Sequence, residues 1–226
     1  MFYKRLFLTS LLAPVLMASA AQAVTIVQYG TAGSTTSLAP FEVAPEVSGD
    51  DLTAGAGIDV LAFSTFNFNN WDPANTSFDD AIADDEFFRW GFTVTDALAS
   101  IDLTTLDIRV DRSGTGPDDF EIRASVNGAP GISVLSHDYG DSGSGVNFVG
   151  VDLSAISGLT AGDSVVFTLG AFNAESTGGT FDLETITFPG GNDAITVSGD
   201  ISIIPEPSTA LLLGLGLAGL GRLRRR

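Results

Sequence analysis

Phe88-Arg89-Trp90-Gly91-Phe92-Thr93-Val94 sets one apolar residue against one small or polar residue, step by step. The pattern returns in Leu106-Asp107-Ile108-Arg109-Val110 and in Phe120-Glu121-Ile122-Arg123-Ala124-Ser125-Val126. It recurs from Val165 through Phe167 and Leu169 to Ala171. Successive side chains of a strand point to opposite faces, so period-two alternation predicts strands with one greasy face and one wet face. No stretch shows the 3.6-residue period of a useful amphipathic helix. The fold class is therefore all-β, an antiparallel two-sheet β-sandwich of jelly-roll type.

Working outward, Val24–Tyr29 is a β-branched strand. Val149 with Val151 and Leu153, Phe181 with Leu183, and Ile195, Val197, Ile201 and Ile203 supply further strands. Asn127-Gly128 and Gly140–Gly145 read as turns between them. Gly30–Ala56 is rich in Gly, Ser, Thr and Pro and reads as long loops or an irregular edge. Ile58–Phe63 is a further candidate strand. Phe66-Asn67-Phe68-Asn69-Asn70-Trp71 reads as an aromatic-bearing loop, and Ser77–Glu86 as one acidic helical turn. The absence of an internal repeat argues against a propeller or solenoid.

Both ends of the chain are processing segments. Lys4 and Arg5, the apolar run Leu6–Met17 and Ala21-Gln22-Ala23 form a secretory signal peptide over residues 1–23, with cleavage expected after Ala23. At the other end Pro205-Glu206-Pro207 is followed by 14 uncharged residues, Ser208–Gly221, and then by Arg222, Arg224, Arg225 and Arg226. As a helix those 14 residues reach about 21 Å, short for a bilayer core of about 30 Å. With the arginines snorkelling, 208–223 forms a short hydrophobic helix fit for transient anchoring in the inner membrane. The fold belongs to 24–204.

That domain is strongly acidic. Of 28 acidic residues only Glu206 lies outside it, and of 10 basic residues only Arg89, Arg109, Arg112 and Arg123 lie inside, a formal charge of −23. Such a surface repels nucleic acid and anionic lipid. With no cysteine the domain has no disulfides, no thiolate chemistry and no cysteine metal centre.

Residues 205–226 resemble the PEP-CTERM sorting signal of exopolysaccharide-producing Gram-negative bacteria. The resemblance implies recognition of Pro205-Glu206-Pro207 by an exosortase after signal peptidase has acted, and delivery to the cell envelope or extracellular space. Arg112-Ser113-Gly114-Thr115-Gly116-Pro117, with the later stretch Phe181–Ile186, is similar to segments of secreted PEP-CTERM proteins with jelly-roll, lectin-like domains. It implies a loop joining two strands and a strand that closes the domain.

Chemistry is sparse. Asp84 and Asp85, and Asp111 with Asp118 and Asp119, are candidate ligands for a structural Ca²⁺, which takes oxygen donors. Their spacing matches no EF-hand or RTX pattern, and a solvated acidic face is the plain alternative. A glycoside hydrolase needs two carboxylates set about 5–10 Å apart. Nothing marks Glu42, Glu46, Glu86, Glu121, Glu175 or Glu184 as that pair, and Glu121 and Glu184 are expected on wet strand faces. His137, the single histidine, reads as a surface turn residue without a nucleophile elbow to serve. Trp90 is in phase with the core. Trp71 and Tyr139 are the candidate glycan contacts, with Asn67, Asn69 or Asp72 to bond hydroxyls. The expectation is a non-catalytic exported protein with a structural or adhesive role, or else a carbohydrate-binding module for exopolysaccharide.

Overall fold

A computed structural model describes residues 23–31, 35–62, 65–140, 144–186 and 194–203. The predicted signal peptide up to Gln22 (Ala21 included), the motif Pro205-Glu206-Pro207 and the 208–223 segment lie outside the described residues. The strands are β1 Ala23–Tyr29, β2 Ser37–Leu38, β3 Glu42–Val43, β4 Val47–Gly49, β5 Leu52–Ala54, β6 Asp59–Val60 and β7 Phe66–Asn69. After helix α1, Phe78–Ala83, come β8 Phe87–Val94, β9 Ala99–Arg112, β10 Pro117–Val126, β11 Ile132–Asp138 and β12 Val146–Asp152. β13 Ser164–Ala174, β14 Phe181–Leu183 and β15 Ile195–Ile203 complete the chain order. Among the described residues no helix is long and apolar enough to cross a membrane.

Two antiparallel sheets form the sandwich. The first holds β3, β1, β15, β9, β14, β7 and β6, with β12 on the other side of β9; the second holds β11, β10, β13, β8, β5 and β2, with β4 beside β8. From β8 to β14 the chain switches sheets at nearly every connection, as a jelly roll requires. The strands form where alternation was read. Phe88, Trp90, Phe92 and Val94 of β8 are buried, as are Leu106, Ile108 and Val110 of β9 and Val165, Phe167, Leu169 and Ala171 of β13. Asn127-Gly128, at the centre of a turn closed by the Ala129 N–H on the Val126 carbonyl (3.0 Å), is left-handed at both residues, φ 53° and 72°.

The Asn-rich stretch departs from its reading as a loop. Phe66 and Phe68 are buried, and β7 pairs with β14 through Phe68↔Phe181 and Phe66↔Leu183. Burial of two phenylalanines outweighed the weak strand propensity of the intervening asparagines. The Ile58–Phe63 reading shrinks to Asp59–Val60 among the described residues, and Gly30–Ala56 carries short strands rather than loops alone. On edge strand β12 a register shift between Phe148 and Val151, with left-handed Gly150 (φ 69°), breaks the alternation and leaves Val149 exposed.

β14 and β15 lie end to end along one side of β9. Leu183 pairs with Val110 and Ile195 with Ile108. Between them both backbone groups of Arg109 are used: its carbonyl accepts from Glu184 N–H (3.2 Å) and its N–H donates to Ala194 (3.1 Å). The chain thus leaves the sheet at Glu184 and rejoins it one step further along. β7 and β1 follow suit in the next row, pairing with β14 and β15 respectively. Tyr29 braces the two layers, its buried hydroxyl donating to the carbonyls of Asp50 (2.6 Å) and Gly91 (3.1 Å).

Candidate functional site

The junction at Arg109 sets a polar recess of about 400 Å³ into the outer face of the first sheet, lined chiefly by Asn67, Asp111, Asp182 and Glu184. Because Phe66, Phe68, Phe181, Leu183 and Val110 point into the core, their neighbours point out. Asn67 lies opposite Asp182 and Asp182 opposite Asp111, one side-chain row across β7, β14 and β9. The next row holds Arg109, whose Nε donates to Glu184 Oε2 (2.9 Å) and whose Nη1 donates to Asn147 Oδ1 (3.0 Å).

Asp182 is 6% exposed, and its Oδ2 accepts from the Thr65 hydroxyl at 3.0 Å. Burial raises its carboxyl to about 7, and the charges of Glu184 and Asp111 push the same way against that hydrogen bond. Asp111 is raised too, by burial and then by Glu184, while the Arg112 N–H and Arg109 oppose the shift. Asn67 Oδ1 is buried and has no hydrogen-bond partner among the described residues.

The predicted metal ligands do not converge: no group of three acidic or histidine side chains suited to a metal forms among the described residues. Asp118 instead pairs with Arg112, whose side chain is wholly buried and also donates to the carbonyls of Ser113 (2.9 Å), Gly114 (3.0 Å) and Gly140 (3.1 Å). That caged guanidinium holds the predicted loop between β9 and β10. Asp119 accepts from Asn173 Nδ2 at 2.6 Å. Asp84 caps the C-terminus of α1 and Asp85 turns the chain with φ 57°. Only Asp111 of the five reaches the recess.

The two aromatic candidates are corrected outright. Asn70 adopts φ 68°, folding Trp71 back under β7. Trp71 is fully buried, donates its indole N–H to the Phe68 carbonyl (3.1 Å) and packs edge-on against Phe88 and Phe181. Tyr139 is buried and its hydroxyl donates to the Val110 carbonyl (3.2 Å). Neither ring can stack on a sugar. His137 belongs to strand β11, half-buried against Phe120, Tyr139 and Phe148, and is no surface turn residue.

Glu121 grips Arg123 through both oxygens, at 2.9 and 3.0 Å, and Glu184, just beyond β14 rather than on a strand, is held by Arg109, so both glutamates are committed. Glu86 was not legible: it is 3% exposed and accepts from Asp72 N–H (2.7 Å) and Asn75 Nδ2 (3.0 Å), with burial raising its carboxyl. The outer face of the second sheet carries a row of its own, Arg123–Thr168–Arg89. Arg89 separates hollows of about 160 and 320 Å³ there.

The described residues thus define an acidic, disulfide-free antiparallel β-sandwich with a polar recess on one face. The chain that follows it, residues 204–226, matches the PEP-CTERM protein-sorting motif, which marks a protein exported and sorted to the cell envelope or extracellular space. Among solved structures, a mutant of a family 29 carbohydrate-binding module, CBM29-2, is similar over 80% of this chain and 92% of its own, at 11% identity and a TM-score of 0.34. No curated protein matches the chain.

Proposed function

We propose that this chain is an exosortase-processed component of the cell envelope or extracellular matrix, and that its sandwich serves a structural or adhesive role without catalysis. The observation that carries the reading is the sorting motif placed immediately after a closed β-domain. Signal peptidase acts after Ala23, and exosortase acts at Pro205-Glu206-Pro207 while 208–223 holds the chain at the inner membrane. The ends of the domain leave room for both cuts. Ala23 pairs with Asp200, and β15 ends at Ile203. Both processing sites therefore leave one end of the sandwich, and trimming either leaves the core untouched.

The test is fractionation of cells carrying the full chain or one ending at Ile204. The full chain is expected in the envelope or matrix, and the shortened one free in the periplasm or medium. Identical distribution of the two would refute the sorting role.

Recognition of the producer's exopolysaccharide is a second reading. With Trp71 and Tyr139 buried, it rests on the hollows flanking Arg89, which together cross the second sheet and suit an extended polymer. A glycan screen with calcium present checks it, and retention equal in wild type and Arg89→Ala would remove its basis.

A further inference from the structure

Among the described residues, three oxygens of one row at the recess accept no hydrogen bond. Asp111 Oδ1 accepts the Arg112 N–H at 2.8 Å, which leaves Oδ2. Asp182 Oδ2 accepts from Thr65, which leaves Oδ1 of a carboxylate 94% removed from solvent without a hydrogen bond among the described residues. Asn67 Oδ1 is the third, buried and unpartnered. They come from three adjacent strands at matching register. Like charges opposed across a ladder destabilise it, and a buried acceptor without a donor costs more. The neighbouring cations bring no relief: Arg109 is held by Glu184 and Asn147, and Arg112 by Asp118 and three carbonyls.

We propose that Asn67, Asp111 and Asp182 form a divalent-cation site that takes calcium. All three donors are hard oxygens, and the open recess leaves room for the waters that complete a coordination sphere of six to eight. Calcium tolerates such an irregular set, whereas magnesium demands a compact octahedron and sheds water reluctantly. Two carboxylates and one amide make a weak site, with a dissociation constant of about 10⁻⁴–10⁻³ M, the range of extracellular calcium modules. The ion would tie β7, β14 and β9 together where the chain leaves the sheet at Glu184. This inference is independent of the sorting reading, since its test uses purified protein and no cell fraction.

The experiment is a calcium titration of the full chain in mild detergent, followed by calorimetry and by melting in calcium or chelator. Wild type is expected to bind one equivalent and to melt a few degrees higher at about 10 mM Ca²⁺, because a ligand bound only to the folded state raises stability. Asp111→Asn and Asp182→Asn should weaken binding by about tenfold or more, since affinity follows ligand charge, and Asn67→Leu by several-fold. The double variant Asp84→Asn/Asp85→Asn, remote from the recess, should bind as wild type does. Asp182→Asn retains an acceptor for Thr65 and should melt above wild type in chelator, which separates lost binding from lost folding. Three results overturn the proposal: no saturable binding up to about 10 mM, binding unchanged by the recess variants, or loss equal in the Asp84/Asp85 control. The last two mean that calcium merely condenses on an acidic surface.

Discussion

Trp71→Ala decides between a ring that packs and a ring that binds. The indole is fully buried, 5.8 Å from the Phe88 ring and 5.7 Å from the Phe181 ring, and its N–H satisfies the Phe68 carbonyl. Truncating a buried tryptophan to alanine costs about 3–5 kcal/mol in lost burial and residual cavity. Stranding the carbonyl adds about 1–3 kcal/mol unless water enters the cavity. A total near 5 kcal/mol compares with about 5–15 kcal/mol for a whole domain. At about 2–4 °C per kcal/mol for a chain of this length, the melting temperature should fall by ~10–20 °C. Trp71→Phe keeps most of the volume and should cost about half as much or less. The assay is urea and thermal unfolding of both variants, with retention on the producer's polysaccharide measured at a temperature where each is folded. Any retention that wild type shows should then be unchanged. A Trp71→Ala protein within about 1 kcal/mol of wild type that no longer binds polysaccharide would refute the placement of this ring in the core.

Stability in chelator should fall as pH rises from about 4 to 7. Asp182 titrates near 7 in the fold against an ordinary value of 3.8, so across that window the folded state holds a proton that the unfolded chain has released. At about 1.4 kcal/mol per pH unit the ceiling is roughly 4 kcal/mol, and the raised carboxyls of Asp111 and Glu86 act in the same direction. Urea midpoints across the range should drop for wild type and flatten for Asp182→Asn; parallel curves would contradict the raised carboxyl of buried Asp182. Gly179 and Gly116 let two turns cross, since a Cβ on Gly179 would lie 2.0 Å from the Thr115 carbonyl oxygen and one on Gly116 2.2 Å from that of Thr180. Alanine at either should cost about 1–3 kcal/mol by forcing the backbones apart, whereas Gly114→Ala, with open space around it, should be nearly silent on melting.

The strands that could be read from the sequence are those in which every second residue is large and apolar, as in β8, β10 and β13. There burial of one face dictates the conformation, and the pattern is the cause of the fold. β7 has the same alternation in Phe66 and Phe68, but asparagines on its wet face and the left-handed Asn70 beyond it carry the statistics of a loop. Its true signal was the phenylalanine spacing. Strands of two or three residues such as β2, β3 and β6 contain too little pattern to be seen at all. The sorting motif was legible for a different reason: it is a contiguous linear pattern that needs no fold to be seen.

The recess was hidden because nothing local joins its members. Asn67 sits in an Asn-rich run, Asp111 beside a glycine loop, and Asp182 between two buried hydrophobics. Acidic runs such as Asp84-Asp85 drew attention by proximity in sequence, yet in the fold they cap a helix and turn a chain. What assembles Asn67, Asp182 and Asp111 is strand register, and the core sets that register. Sliding β14 by one residue would turn Phe181 and Leu183 to solvent and Asp182 into the core, so the aromatic packing that stabilises the sandwich also fixes which oxygens meet on its outside. The site is consequently as strongly specified as the core. The residue that marks it in sequence is Asp182, a lone acid flanked by two apolar residues on a strand three residues long.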